Sequence, residues 1–65
     1  MQRWEYAFLQ EVDGDRLALT TPTERHVRDA DWWDRWWAKL GDEGWEFVAV
    51  SNGQYIFKRP KGAAL

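Results

Sequence analysis

The sequence predicts an α+β fold: one small domain of β-β-α-β-β order, an antiparallel sheet with one helix packed on one face. Three features predict it. Residues 3–12 alternate in polarity with period two, residues 30–43 carry apolar side chains at helical spacing, and an Asn-Gly dipeptide separates two apolar runs near the end.

In residues 3–12, Trp4, Tyr6, Phe8 and Val12 fall on one side and Arg3, Glu5, Ala7, Leu9 and Glu11 on the other, which is the pattern of a strand. Asp13-Gly14 follows, where glycine tolerates the positive φ of a tight primed turn, and Leu- and Thr-rich residues 16–21 return as a second strand. With Asp13 and Gly14 central, Glu11 faces Arg16, Leu9 faces Ala18 and Phe8 faces Leu19. A turn on Gly14-Asp15 pairs Val12 with Leu17 instead, and both registers remain open. Pro22 ends the second strand because it lacks an amide proton, and residues 22–29 are expected to connect to the helix.

The helix is expected over residues 30–43. Asp29 suits the N-cap, Asp31 and Asp34 suit the positive end of the macrodipole, and Gly44 suits the left-handed position after the last turn. Gly41 costs about 1 kcal/mol relative to alanine and marks an alternative, earlier stop. At about 100° per residue, Ala30, Trp33, Trp37, Leu40 and Gly44 form one stripe, the expected core face. Trp36 falls at its margin and Trp32 further round, while Asp31, Arg35, Ala38 and Asp42 face solvent. Residues 45–51 and 54–59 then flank Asn52-Gly53, a type I′ signal. The register that follows pairs Val50 with Tyr55, Ala49 with Ile56, Val48 with Phe57, Phe47 with Lys58 and Glu46 with Arg59. Pro60 stops this strand, so the domain is expected at residues 1–61 with a flexible tail at 62–65.

One helix covers one face of such a sheet, and the other face should be polar in a protein that lives alone. The sequence breaks that rule. If Trp4, Tyr6, Phe8, Val48, Val50 and Phe57 point towards the helix, then Ala7, Leu9, Ala18, Trp45, Phe47 and Ile56 point away from it. Six tryptophans in 65 residues add to the surplus, and a domain this short buries only about 60% of the surface its unfolded chain exposes. A homodimer or small homo-oligomer is therefore expected, with Trp32, Trp36, Trp45, Phe47, Ile56 and Leu9 as contact residues. The competing reading keeps these rings inside one chain, with Trp45 folding back onto the last helical turn.

Composition excludes other classes. Cysteine is absent, which removes disulfides and thiolate metal sites. Nine Lys and Arg against eleven Asp and Glu give a net charge of −2, no field for a polyanion, and Lys58-Arg59-Pro60-Lys61 is too short a basic block to change that. No apolar stretch approaches the roughly 20 residues of a spanning helix, and the first residues lack the apolar core of a secretory signal, so a cytoplasmic protein is expected.

Trp4-Glu5-Tyr6, the run Leu40-Gly41-Asp42-Glu43-Gly44-Trp45-Glu46-Phe47-Val48, the Asn-Gly turn and Tyr55-Ile56-Phe57-Lys58-Arg59 together span nearly the whole chain. In these the sequence resembles a widespread family of very small bacterial and phage proteins that open with Trp-Glu-Tyr and carry Leu-Gly-x-Glu-Gly-Trp-Glu, a domain of unknown function. The resemblance implies a small α+β fold and no established activity. Trp-Trp occurring twice in the helix departs from that pattern.

Catalytic chemistry has little to work with. The only serine, Ser51, is at a turn, and the only histidine, His26, sits beside Arg25 and Arg28 in a segment expected to be solvated. Asp29, Asp31 and Asp34 are what a helix dipole favours without a metal, and Asp13-Gly14-Asp15 lacks the ligand spacing of a calcium loop. No cofactor or metal is expected. The leading expectation is a non-enzymatic interaction protein that self-associates and presents aromatic side chains to a protein partner. The alternative is a module that binds or sequesters a planar metabolite or nucleotide, stacked on Trp32, Trp36 or Tyr55 with Arg25, His26, Arg28 or Arg35 beside its anionic group.

Overall fold

The computed structural model describes residues 2–62. Its strands are β1 (Trp4–Val12), β2 (Arg16–Thr20), β3 (Arg25–Asp29), β4 (Glu46–Ser51) and β5 (Gln54–Pro60); a 3-10 turn, Ala30–Trp32, leads into the single helix α1 (Trp33–Asp42). All five strands join one antiparallel sheet in the order β3-β2-β1-β5-β4. The α+β class and the single covering helix agree with the sequence. Of the tail expected at 62–65, residues 63–65 lie outside the described residues.

The strand β3 is an addition, since residues 22–29 were expected to be a connection only. Thr21, Pro22, Thr23 and Glu24 make a tight turn in which the Thr21 amide donates to the Glu24 carbonyl at 2.8 Å and Thr21 Oγ1 accepts from the Glu24 amide at 3.2 Å. The chain then returns along β2 with Ala18 opposite Val27 and Leu19 opposite His26. As an edge strand it carries Arg25, Arg28 and Asp29, charges of the kind that keep sheet edges from pairing further.

The register of each hairpin shifts the expected faces. The first turn is a three-residue loop, with Asp13 at φ 56 and Gly14 at φ 75, and it sets Val12 opposite Arg16 and Leu9 opposite Leu19. Neither two-residue alternative holds. The Asn52-Gly53 turn forms as expected, with φ 52 and 78, and Ser51–Gln54, Val50–Tyr55 and Ala49–Ile56 pair as predicted. Beyond them a bulge absorbs Val48, so that Phe47 faces Phe57 and Glu46 faces Lys58. The expected Glu46–Arg59 pair is replaced by Glu5–Arg59, opposite each other across β1 and β5.

Because α1 runs between the two edge strands, β3 and β4, it must cross the whole sheet, and it covers the face that holds Ala7, Leu9, Leu17, Leu19 and Phe57. The core consists of these with Trp36, Leu40 and Trp45, and Trp32, Trp33, Trp37 and Tyr55 pack against its margin. This inverts the faces expected for β1, while Val50 and Phe57 lie towards the helix and Ala18 and Ile56 away from it as expected. Ala7 and Leu9 lie beneath the helix at 0% exposure, whereas Trp4 and Tyr6 are on the far side at 39% and 45%. The small Ala7 leaves room for indole on the helix above, a large-against-small fit that alternation alone does not reveal.

Trp36, expected at the stripe's margin, is the buried indole of the helix at 2% exposure, while Trp33 and Trp37 are half-buried. The cause is the added strand: β3 extends the sheet on the side where Trp36 points, and its His26 ring lies 6.0 Å from that of Trp36. Asp31, Arg35, Ala38 and Asp42 are exposed as expected. Asp29 occupies the cap position, yet its side chain makes no capping hydrogen bond.

The helix ends in a Schellman motif: the Trp45 amide donates to the Leu40 carbonyl at 2.9 Å and the Gly44 amide to the Gly41 carbonyl at 3.1 Å, with Gly44 at φ 85. Trp45 and Leu40 supply the hydrophobic contact that accompanies such an ending, and both are core residues. The Leu-Gly-Asp-Glu-Gly-Trp run is thereby a structural device that stops the helix and seats an indole.

Candidate interaction surface and aromatic cleft

The outer face of the sheet is apolar and has no covering element among the described residues. Strand registers place Tyr6 and Phe8 of β1, Ile56 of β5, Val27 of β3 and Ala49 of β4 on it, and Ala18 of β2 as well, although Ala18 is only 1% exposed and adds no accessible surface. Phe8 is central, between Thr20 and Ile56 on its two neighbours. Near it, Gln54 Nε2 donates to Gln10 Oε1 at 2.6 Å, satisfying one polar group of each amide side chain across β1 and β5. Charges stand at the margins: Arg16, Arg25 and Asp29 towards β3, Lys58 and Glu46 towards β4. The Lys58 ammonium lies 4.2 Å from the centroid of the Trp4 ring, so the ring's apolar area continues under a cation.

Of the residues expected to make contacts, Ile56 is on this face. Leu9, Trp36 and Trp45 are not: each is in the core, at 0%, 2% and 6% exposure, and has no surface to offer. Phe47 is exposed but belongs to the helix side, where its ring centroid lies 5.4 Å from Trp37 and 5.7 Å from Phe57. Tyr6, Phe8 and Trp4 take the places of those four. What concealed them is that both faces of β1 are apolar, so the alternation separates two faces without saying which is covered.

A second group gathers where β3 meets the helix start. The guanidinium carbons of Arg28 and Arg35 lie 5.3 and 5.0 Å from the Trp32 ring centroid, and Trp32 lies 5.6 Å from Trp36. The structure thus brings Arg28, Arg35 and His26 to one aromatic cluster. Arg25 is excluded, because it alternates with His26 and projects from the opposite face of β3. Tyr55 is excluded too, being on β5, three strands away. His26 Nε2 contacts Glu24 Oε1 at 3.2 Å. A planar ligand stacking on Trp32 would have to share that ring with the two guanidiniums or displace them.

The third feature is a cleft of about 430 Å³ on the helix side, at the turn end of the sheet. Leu17, Ala30 and Val50 give it apolar lining, and Trp33 and Tyr55 form two walls with ring centroids 4.9 Å apart and planes at 76°. Glu11 is its carboxylate. Among the described residues Glu11 takes part in no ion pair. Sequence reasoning assigned no role to Glu11 or Trp33 in a site; the signal was an acidic residue continuing the period of the buried Ala7 and Leu9.

Among the described residues no three His, Cys, Asp or Glu side chains gather for a metal ion, and no helix is long and apolar enough to cross a membrane. Compared with known proteins, the chain matches no family model, no curated protein and no solved structure.

Proposed function

We propose that this chain is a non-enzymatic interaction protein that pairs with a second copy of itself through the outer face of its sheet. The observation that carries the reading is the apolar centre of that face, Tyr6, Phe8 and Ile56, with Tyr6 45% exposed. Five strands about 4.8 Å apart and about 20 Å long give a footprint of about 500 Å², so two faces together bury about 1,000 Å², the size at which specific interfaces begin.

The partner follows from symmetry and charge. β1 is the middle strand of five, so a two-fold axis along it stacks sheet on sheet with strands aligned, the usual packing of a β-sandwich. That rotation lays the β3 margin of one copy, with Arg25, over the β4 margin of the other, with Glu46. Both margins carry charges of both signs, Arg16 and Asp29 beside Arg25 and Lys58 beside Glu46, so ion pairs between the copies are available at the rim. Against an enzymatic role stands the separation of the only serine and the only histidine, Ser51 on β4 and His26 on β3, at opposite edges of the sheet.

Sedimentation or light scattering at tens of micromolar tests the reading. The wild-type chain should run as a dimer, and Tyr6→Arg should run as a folded monomer by circular dichroism. A wild-type monomer throughout that range, or a Tyr6→Arg variant that dimerises unchanged, overturns it.

A further inference from the structure

We propose that the cleft between α1 and the β4–β5 turn binds a small organic cation, an ammonium group carried on a short alkyl chain. Its volume of about 430 Å³ falls within the range of small-molecule sites, and its lining combines apolar side chains with one charged group. The sign of that group selects the ligand. Glu11 is the carboxylate there, it has no ion-pair partner among the described residues, and neither lysine nor arginine lines the cleft. An anion entering beside Glu11 is repelled with nothing to offset it; a cation is attracted.

The aromatic walls narrow the class further. Aromatic faces attract cations through the ring quadrupole, most strongly at tryptophan, and Trp33 and Tyr55 at 76° to each other form a corner rather than a slot. A corner suits a compact, roughly spherical head such as an ammonium better than a flat heterocycle. Leu17, Val50 and Ala30 are suited to the alkyl carbons next to that head. Hard metal ions are poorly served, because calcium and magnesium require several oxygen ligands and one carboxylate lines the cleft. The site lies on the helix side of the sheet, opposite the face proposed to pair, so it stands or falls independently of the dimer.

The same chemistry reaches the cleft from a free quaternary amine or from a lysine side chain, and titration separates the two. Choline chloride and N-acetyl-lysine methylamide are added to the full chain at constant ionic strength, with the indole N–H resonance of Trp33 as readout and adenosine monophosphate as the anionic control. A saturable shift is expected with at least one cation, and its relative strength identifies a free amine or a side chain as the source. Glu11→Gln, at an exposed position, should weaken binding at least tenfold while the rest of the spectrum holds, and Trp33→Leu, followed by calorimetry, should weaken it similarly. Saturation by neither cation overturns the proposal. So does binding that Glu11→Gln leaves unchanged, or a Trp33 response to the nucleotide in place of the cations.

Discussion

The Arg59 guanidinium carbon lies 4.2 Å from the centroid of the Trp45 ring, and the same side chain donates from Nε to Glu5 Oε2 at 2.7 Å and from Nη1 to the Glu43 carbonyl at 2.9 Å. One residue of the last strand thus holds the first strand, the end of the helix and the indole that follows it. Arg59→Ala should cost about 2 kcal/mol, since charge-assisted hydrogen bonds and cation–π contacts each contribute on that scale before solvent screening. Arg59→Lys should recover less than half, because an ammonium lacks the planar fork that reaches three directions. Urea denaturation followed by fluorescence measures both. A loss below about 0.5 kcal/mol for Arg59→Ala would mean that water screens these contacts out.

Two glycines three residues apart should respond to alanine with opposite signs. Gly44 has φ 85 in the Schellman motif, whereas Gly41 is inside α1, and a Cβ at either position meets no atom within 4 Å. Sterics with neighbours therefore cancel from the comparison and backbone preference remains. Gly44→Ala should destabilise by about 1–2 kcal/mol, the cost of a left-handed conformation, and Gly41→Ala should stabilise by up to about 1 kcal/mol. In a domain of this size each kcal/mol moves the thermal midpoint by about 4–8 °C, so calorimetry resolves the two. Shifts of the same sign would mean that the helix ends at Gly41.

The same local physics explains what was legible in the sequence. Asn52-Gly53 and Gly44 were legible because a positive φ selects very few residue types, and the turn and the helix end appear where these residues stand. The strand β3 was not, because Arg-His-Val-Arg-Asp has one apolar residue and an edge strand is stabilised by its ladder to Ala18 and Leu19 more than by its own pattern. The bulge at Val48 was invisible as well. Valine there satisfies any strand template, and the shifted pairing appears only when Phe47 meets Phe57. As for the candidate site, the surplus of apolar surface was legible while its members, Ile56 apart, were not: covering one face is decided by how well Ala7 and Leu9 fit beneath Trp36 and Leu40.

Lys39 and Glu43 give the fold a dependence on alkaline pH. Lys39 Nζ donates to Glu43 Oε2 at 2.6 Å, one helical turn apart, and this hydrogen bond, then the carboxylate's charge, raises the Lys39 pKa above its ordinary 10.5. A group whose folded pKa is raised contributes its full stabilisation below the unfolded value and loses it as pH rises through the folded one. The stability gap between wild type and Glu43→Gln should therefore be constant near neutral pH and close as pH rises beyond 10.5. Because the pair is solvent-exposed, the gap should also shrink in high salt. Thermal melts across that range measure it, and a gap that persists with the lysine deprotonated would assign the effect of Glu43 to its place at the helix end.

Trp36 and Trp32, four residues apart, should differ sharply on truncation. Trp36 is 2% exposed and Trp32 is half-buried under Arg28 and Arg35. Trp36→Ala should remove about 3–5 kcal/mol, which is most of what a domain this small possesses, and the chain should lose its cooperative transition. Trp32→Ala should leave the fold intact. A finer test uses the indole nitrogen, because Trp36 Nε1 is buried without a hydrogen-bond partner among the described residues. Phenylalanine leaves a smaller cavity and also removes that unsatisfied donor, two effects of opposite sign. Trp36→Phe should then cost about 1 kcal/mol or less, far below the alanine variant. A phenylalanine variant as damaging as alanine would show that the packing of the indole, and not its unpartnered donor, sets the cost.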